Sequence, residues 1–69
     1  MNAIIIGAKI KRLRKEKGIT QRAFAYALSV SPQAVSKWER NISYPDITLL
    51  PHIARYFGVR IDTLFDFLE

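Results

Sequence analysis

The chain has 69 residues, of which 49% are hydrophobic and 25% charged, and it contains no cysteine. A length like this makes one small domain, spanning residues 1–69, that buries only roughly 60% of its unfolded surface. The composition excludes disorder, a disulfide framework and a thiolate zinc site, while a formal net charge of +5 favours a polyanionic partner.

That charge is unevenly placed. Residues 1–40 carry nine basic side chains against two acidic ones, and residues 41–69 carry two against four. Any polyanion contact is therefore expected in the first 40 residues. The apolar run at residues 3–8 has no basic segment before it and falls far short of the roughly 18 residues of a membrane span. A soluble, cytoplasmic protein is expected.

No stretch alternates apolar and polar residues with a period of two, so strands fit poorly and an all-α class is predicted. In the first helix, Ile6, Ile10, Leu13 and Lys17 recur at helical spacing, with a basic opposite face. Gly7 weakens its first turn by about 1 kcal/mol relative to Ala, so fraying is expected there. Gly18 stops it.

Thr20 caps a second helix from Gln21, and Ile19 with Phe24 forms a hydrophobic staple. Phe24, Ala25 and Leu28 make its buried stripe. After a turn at Ser29-Val30-Ser31, the pair Ser31-Pro32 opens the third helix with a hydroxyl N-cap and a proline at the first helical position. Val35, Trp38 and Glu39 share one face of it; Gln33, Ser36, Lys37 and Arg40 share the other. Asn41 stands where a left-handed residue is wanted.

Residues 42–45 read as a loop. Pro51 cannot sit inside a helix capped by Asp46, because it would lose a backbone bond and clash with the preceding turn. A turn over residues 46–49 and a fourth helix over residues 50–57, ended by Gly58, are predicted instead. A fifth helix is predicted over residues 61–68, with Ile61, Leu64 and Phe65 inward. The result is a bundle with short loops.

Two helices joined by a three-residue turn make a helix-turn-helix, whose second helix enters the major groove with its N-terminal end near the base edges. Gln33 can pair bidentately with adenine, and Ser36 and Lys37 lie one turn on. The N-terminus of the preceding helix, with Gln21 and Arg22, suits a phosphate. Glu39 shares the inward face and needs a partner, for which Arg14 is the choice. Trp38 reads as core. His52 reads as a helix-surface histidine, since no nucleophile or acid pairs with it at recognisable spacing. No enzyme activity, cofactor, metal or small-molecule ligand is indicated.

The run from Ile19-Thr20-Gln21-Arg22-Ala23-Phe24-Ala25 to Ser31-Pro32-Gln33-Ala34-Val35-Ser36-Lys37-Trp38-Glu39-Arg40-Asn41 resembles the phage repressor and Cro-like helix-turn-helix family, the xenobiotic-response-element family. Pro45, the segment at residues 54–59 and Ile61-Asp62-Thr63-Leu64 continue the similarity, which covers roughly residues 6 to 65. It implies a five-helix, lambda-repressor-like domain in a bacterial or phage-encoded transcriptional regulator, a repressor that binds a near-palindromic operator in double-stranded DNA as a homodimer. By position, Gln21 resembles a phosphate-fixing residue, Gln33 and Lys37 base-reading residues, Arg40 with Ser43 and Tyr44 backbone contacts, and Arg14 with Glu39 a salt bridge.

Three positions depart from the family pattern. Ser29 stands where the turn usually has Gly, at a cost of about 1 kcal/mol if the left-handed conformation is kept. Pro32 replaces a long polar base-reader and leaves only apolar contact, such as with a thymine methyl. Arg60 replaces a hydroxyl cap. Phe67 and Leu68, with Phe65 or Val59, are candidates for a dimer seam. A second class of function shares the fold: a coactivator-like or antitoxin module that docks on protein, separable by its lack of salt-sensitive duplex binding. Membrane-surface binding by the basic first helix is a third reading, weakened because its apolar stripe is committed to the core.

Overall fold

The computed structural model describes the backbone of residues 3–68 and the side chains of residues 6–65. In chain order it runs β1 (Ala3–Ile5), α1 (Gly7–Lys17), α2 (Gln21–Leu28), α3 (Pro32–Glu39), a 3₁₀ turn (Ile47–Leu49), α4 (Leu50–Phe57), a second 3₁₀ turn (Ile61–Leu64) and β2 (Asp66–Leu68). The body is helical as expected, with α2 and α3 forming the helix-turn-helix.

Each helix starts and stops for reasons written locally. Thr20 Oγ1 accepts the Ala23 N–H at 3.0 Å, and Ser31 Oγ accepts the Ala34 N–H at 3.1 Å, with Pro32 in the first turn. Asp46 caps the first 3₁₀ turn through Thr48 N–H, and Pro51 falls in the first turn of α4, where its missing donor costs nothing.

All four helices then end alike. A left-handed residue follows the last turn: Gly18, Ser29, Asn41 and Gly58, with φ of 75°, 59°, 59° and 70°. Its N–H and that of the next residue fold back onto helix carbonyls, as in Ser29 to Tyr26 and Val30 to Ala25, which is the Schellman arrangement. The residue after each is β-branched and apolar: Ile19, Val30, Ile42 and Val59.

The core joins all four helices and the second 3₁₀ turn through Ile6, Ile10, Phe24, Ala25, Val35, Trp38, Ile53, Ala54 and Leu64. Phe24 lies in a ring cluster with Tyr56 and Phe57 at centroid distances of 5.5 and 5.0 Å. Lys17 Nζ sits 5.3 Å from the Tyr56 ring centre, within cation–π range. Among the described residues no helix is long and apolar enough to cross a membrane.

Three expectations are corrected. The fifth helix is a single 3₁₀ turn, bonded Thr63 N–H to Arg60 carbonyl and Phe65 N–H to Asp62 carbonyl. Arg60 gives it no side-chain cap, and its guanidinium lies 3.6 Å from Asp62 instead. The backbone beyond it is extended: β2 pairs antiparallel with β1, in the register Ala3 with Leu68, Ile4 with Phe67 and Ile5 with Asp66. Strands of three residues are too short to show alternation, and their pairing joins opposite ends of the chain. Finally, Gly7, read only as a weak helix former, is the first residue of α1 and is buried against the end of α3. A Cβ there would stand 2.0 Å from the Trp38 carbonyl oxygen and 2.7 Å from Asn41 Oδ1. Glycine at this position admits the close approach of two helices.

Candidate nucleic-acid interface

Helix α3 has two faces of opposite character. Val35 and Trp38 are buried in the core, and Glu39 is buried beside them. Gln33, Lys37 and Arg40 are exposed on the other side at i, i+4 and i+7, with Ser36 half-buried between them and Pro32 half-buried at the start. A stripe of donors and acceptors on a helix locked from behind can meet base edges without first ordering itself.

The flanks extend that face. Arg22 is exposed on α2, and Gln21 is half-buried at its first position. Thr20 satisfies the Ala23 N–H, so the N–H groups of Gln21 and Arg22 are first-turn donors with no partner inside the helix. Together with the helix dipole they favour an anion.

Past α3, the Ile42 and Ser43 N–H groups both return to the Lys37 carbonyl, at 2.9 and 3.5 Å. That folds the loop back against the helix end, where Ser43 is half-buried and Tyr44 is 63% exposed. Arg40 Nε donates to the Ser36 carbonyl at 3.3 Å, which lays the side chain along its own helix and leaves its terminal nitrogens for another acceptor.

Arg14 and Glu39 meet behind this surface. Arg14 Nε and Nη2 donate to the two carboxylate oxygens of Glu39 at 2.7 and 3.1 Å, and Nη1 donates to the Ile19 carbonyl at 2.8 Å. Their side chains are 10% and 2% exposed. Hydrogen bonding to Glu39 raises the Arg14 pKa above its ordinary value, against the opposing effect of desolvation. A raised arginine keeps its charge, and with it the stabilising contact, at every pH below its unfolded value.

Two features were not found from sequence. Gln21 Nε2 also donates to Glu39 Oε1, at 3.0 Å, so Gln21 belongs to the Arg14 cluster as well as to the surface. No local pattern announces a bond across eighteen positions. Tyr26 is 87% exposed on α2, four residues after Arg22; here a signal existed, since the Phe24, Ala25 and Leu28 stripe leaves it out.

Other expected residues stand apart from this face. His52 is exposed on α4. Among the described residues no three His, Cys, Asp or Glu side chains gather as a metal site. Val59 and Phe65 are half-buried and pack against the core, while the side chains of Phe67 and Leu68 lie outside the described residues.

Comparison with known proteins matches residues 10–64 to the family described as helix-turn-helix. The chain is 43% identical over 56 residues to the HTH-type transcriptional activator BcrR of Enterococcus faecalis, covering 81% of this chain and 28% of BcrR. It is 34% identical over 64 residues to the uncharacterized HTH-type transcriptional regulator YazB of Bacillus subtilis, covering 93% of each. Among solved structures, the P22 c2 repressor in complex with a synthetic operator superimposes with a TM-score of 0.81 at 30% identity, covering 87% of this chain and 91% of that one. The chain thus spans well under a third of BcrR's length and nearly all of YazB's.

Proposed function

We propose that this chain, which belongs to the phage repressor and Cro-like helix-turn-helix family, is a sequence-specific double-stranded DNA-binding transcriptional regulator of the bacterial or phage cytoplasm. The observation that carries this reading is the exposed row Gln33, Lys37 and Arg40 on a helix whose other face is buried. In this reading α3 lies in the major groove. Lys37 and Gln33 read base edges, Ser36 adds a hydroxyl, and Pro32 offers apolar contact. Gln21, Arg22, Arg40, Ser43 and Tyr44 hold phosphates, which set register and affinity without reading sequence.

The chain acts as a homodimer on a near-palindromic operator, its two α3 helices entering grooves about 34 Å apart. Repression by occupying the operator needs nothing beyond this surface, and it is the mode we assign. The likeness to the P22 c2 repressor, solved in complex with a synthetic operator, supports operator binding and the repressor assignment.

Titrating the protein with duplex DNA over a range of salt tests the reading. Its affinity should fall linearly on a double-logarithmic plot, with a slope of about −0.9 per neutralised phosphate. Absence of any salt-sensitive duplex binding would remove DNA as the partner and leave the surface to protein docking.

A further inference from the structure

We infer that Glu39, neutralised by Arg14, is a positioning residue that holds the Gln21 amide with a donor ready for a DNA phosphate; this rests on the duplex-binding reading above. Glu39 Oε1 accepts from both Arg14 Nη2 and Gln21 Nε2, at 3.1 and 3.0 Å. A carboxylate only accepts, so it fixes which end of the Gln21 amide faces inward: the NH2 group. An NH2 group carries two hydrogens. One is spent on Glu39, and the other remains on a half-buried side chain at the first position of α2, beside the free first-turn N–H groups.

An unheld glutamine at that position would present its oxygen as readily as its nitrogen, and an oxygen repels phosphate. The held one has already lost that freedom. Arg14 solves the remaining difficulty, since a bare carboxylate close to a phosphate would be repulsive. Its two bonds to Glu39 cancel that charge, and its third bond, to the Ile19 carbonyl at 2.8 Å, fixes the chain just before the Thr20 cap. Arg14, Glu39 and the Gln21 amide thus form one bonded chain, in which the Gln21 nitrogen keeps its second hydrogen.

A purely structural Arg14–Glu39 pair would alter folding stability alone, so the test reads DNA binding and side-chain order. The probe is a short duplex of random sequence, because phosphate contacts do not depend on sequence. Gln21→Met keeps the length and removes the amide; it should weaken binding about tenfold, the size of one hydrogen bond to a charged group. The salt slope should stay unchanged, whereas Arg22→Ala should lower it by about 1. In a Glu39→Leu background, which leaves the Gln21 amide no acceptor, at a temperature where that variant is folded, adding Gln21→Met should change affinity by less than about twofold.

The unsubstituted chain gives a second reading should the Glu39 variant not fold. Without DNA, the Gln21 side-chain amide should show an NMR order parameter close to the backbone's, about 0.85. Equal Gln21→Met effects in both backgrounds, or an amide order parameter below about 0.6, would overturn the positioning role alone. A wild-type chain that fails to bind duplex would overturn the functional reading and this one together.

Discussion

In the proposed reading, Lys37 reads a base edge, Arg22 holds a phosphate, and Arg14 with Glu39 supports them from behind. Lys37 is exposed in the middle of the α3 row. Its replacement by alanine should cost about 1–3 kcal/mol at one base position and relax the preference there. Arg22→Ala should weaken all sequences alike, and competition binding on a set of single-base operator variants separates the two behaviours. Unchanged discrimination in Lys37→Ala would remove it from the base-reading set. Arg14 and Glu39 support the others. Truncating either leaves its partner buried and unpaired, which should destabilise the fold by about 3–5 kcal/mol in chemical denaturation. The double variant should lose much less than the two single losses combined, and additive losses would contradict the pairing.

At the scale of elements, the helix ends were the most legible part of the chain. Thr20, Ser31-Pro32, Gly18, Asn41 and Gly58 each act through a bond to their own neighbourhood, so their roles survive without knowledge of the rest. Ser29 completes the set at a price in strain: a non-glycine residue at φ 59°. Ser29→Gly should therefore raise thermal stability by about 0.5–1 kcal/mol, the relief of left-handed strain less the added freedom of the unfolded chain. No gain in melting temperature would mean that the strain does not exceed the freedom glycine adds to the unfolded chain.

Apart from the Arg14–Glu39 pair, what the sequence hid depends on two distant segments. Gly7 reads locally as a weak helix former, yet it lies where α1 meets the Trp38 carbonyl. Gly7→Ala, favoured by helix propensity by about 1 kcal/mol, should instead destabilise by about 1–3 kcal/mol through overpacking, and thermal melting decides the sign. The last helix failed for the same reason. Ile61, Leu64 and Phe65 have helical spacing, but backbone pairing with β1 takes the residues that would have continued the helix. On the candidate surface, the exposed α3 row followed from periodicity alone, whereas the Gln21 bond to Glu39 needed three segments placed together.

For the whole molecule, the charge division acquires a geometric meaning. The basic excess of residues 1–40 includes the α2–α3 face, while Lys11, Arg12, Lys15 and Lys17 are exposed around α1. In the proposed DNA complex the latter would supply a broad field that speeds association and steepens salt dependence without choosing a sequence. In the proposed homodimer, the symmetric partner would bind through another surface. Val59 and Phe65 are only partly covered by the core, and with Phe67 and Leu68 they are the seam we assign. Sedimentation equilibrium should show a dimer that Val59→Asp weakens.

Selection of bound duplexes from a random pool tests the central claim most directly. The account predicts enrichment of two inverted half-sites whose centres lie one helical turn, about 34 Å, apart, with the preference at one position of each half-site relaxed when the selection is repeated with Lys37→Ala. A pool that emerges without a consensus, or one whose consensus is unaltered by that substitution, would contradict it.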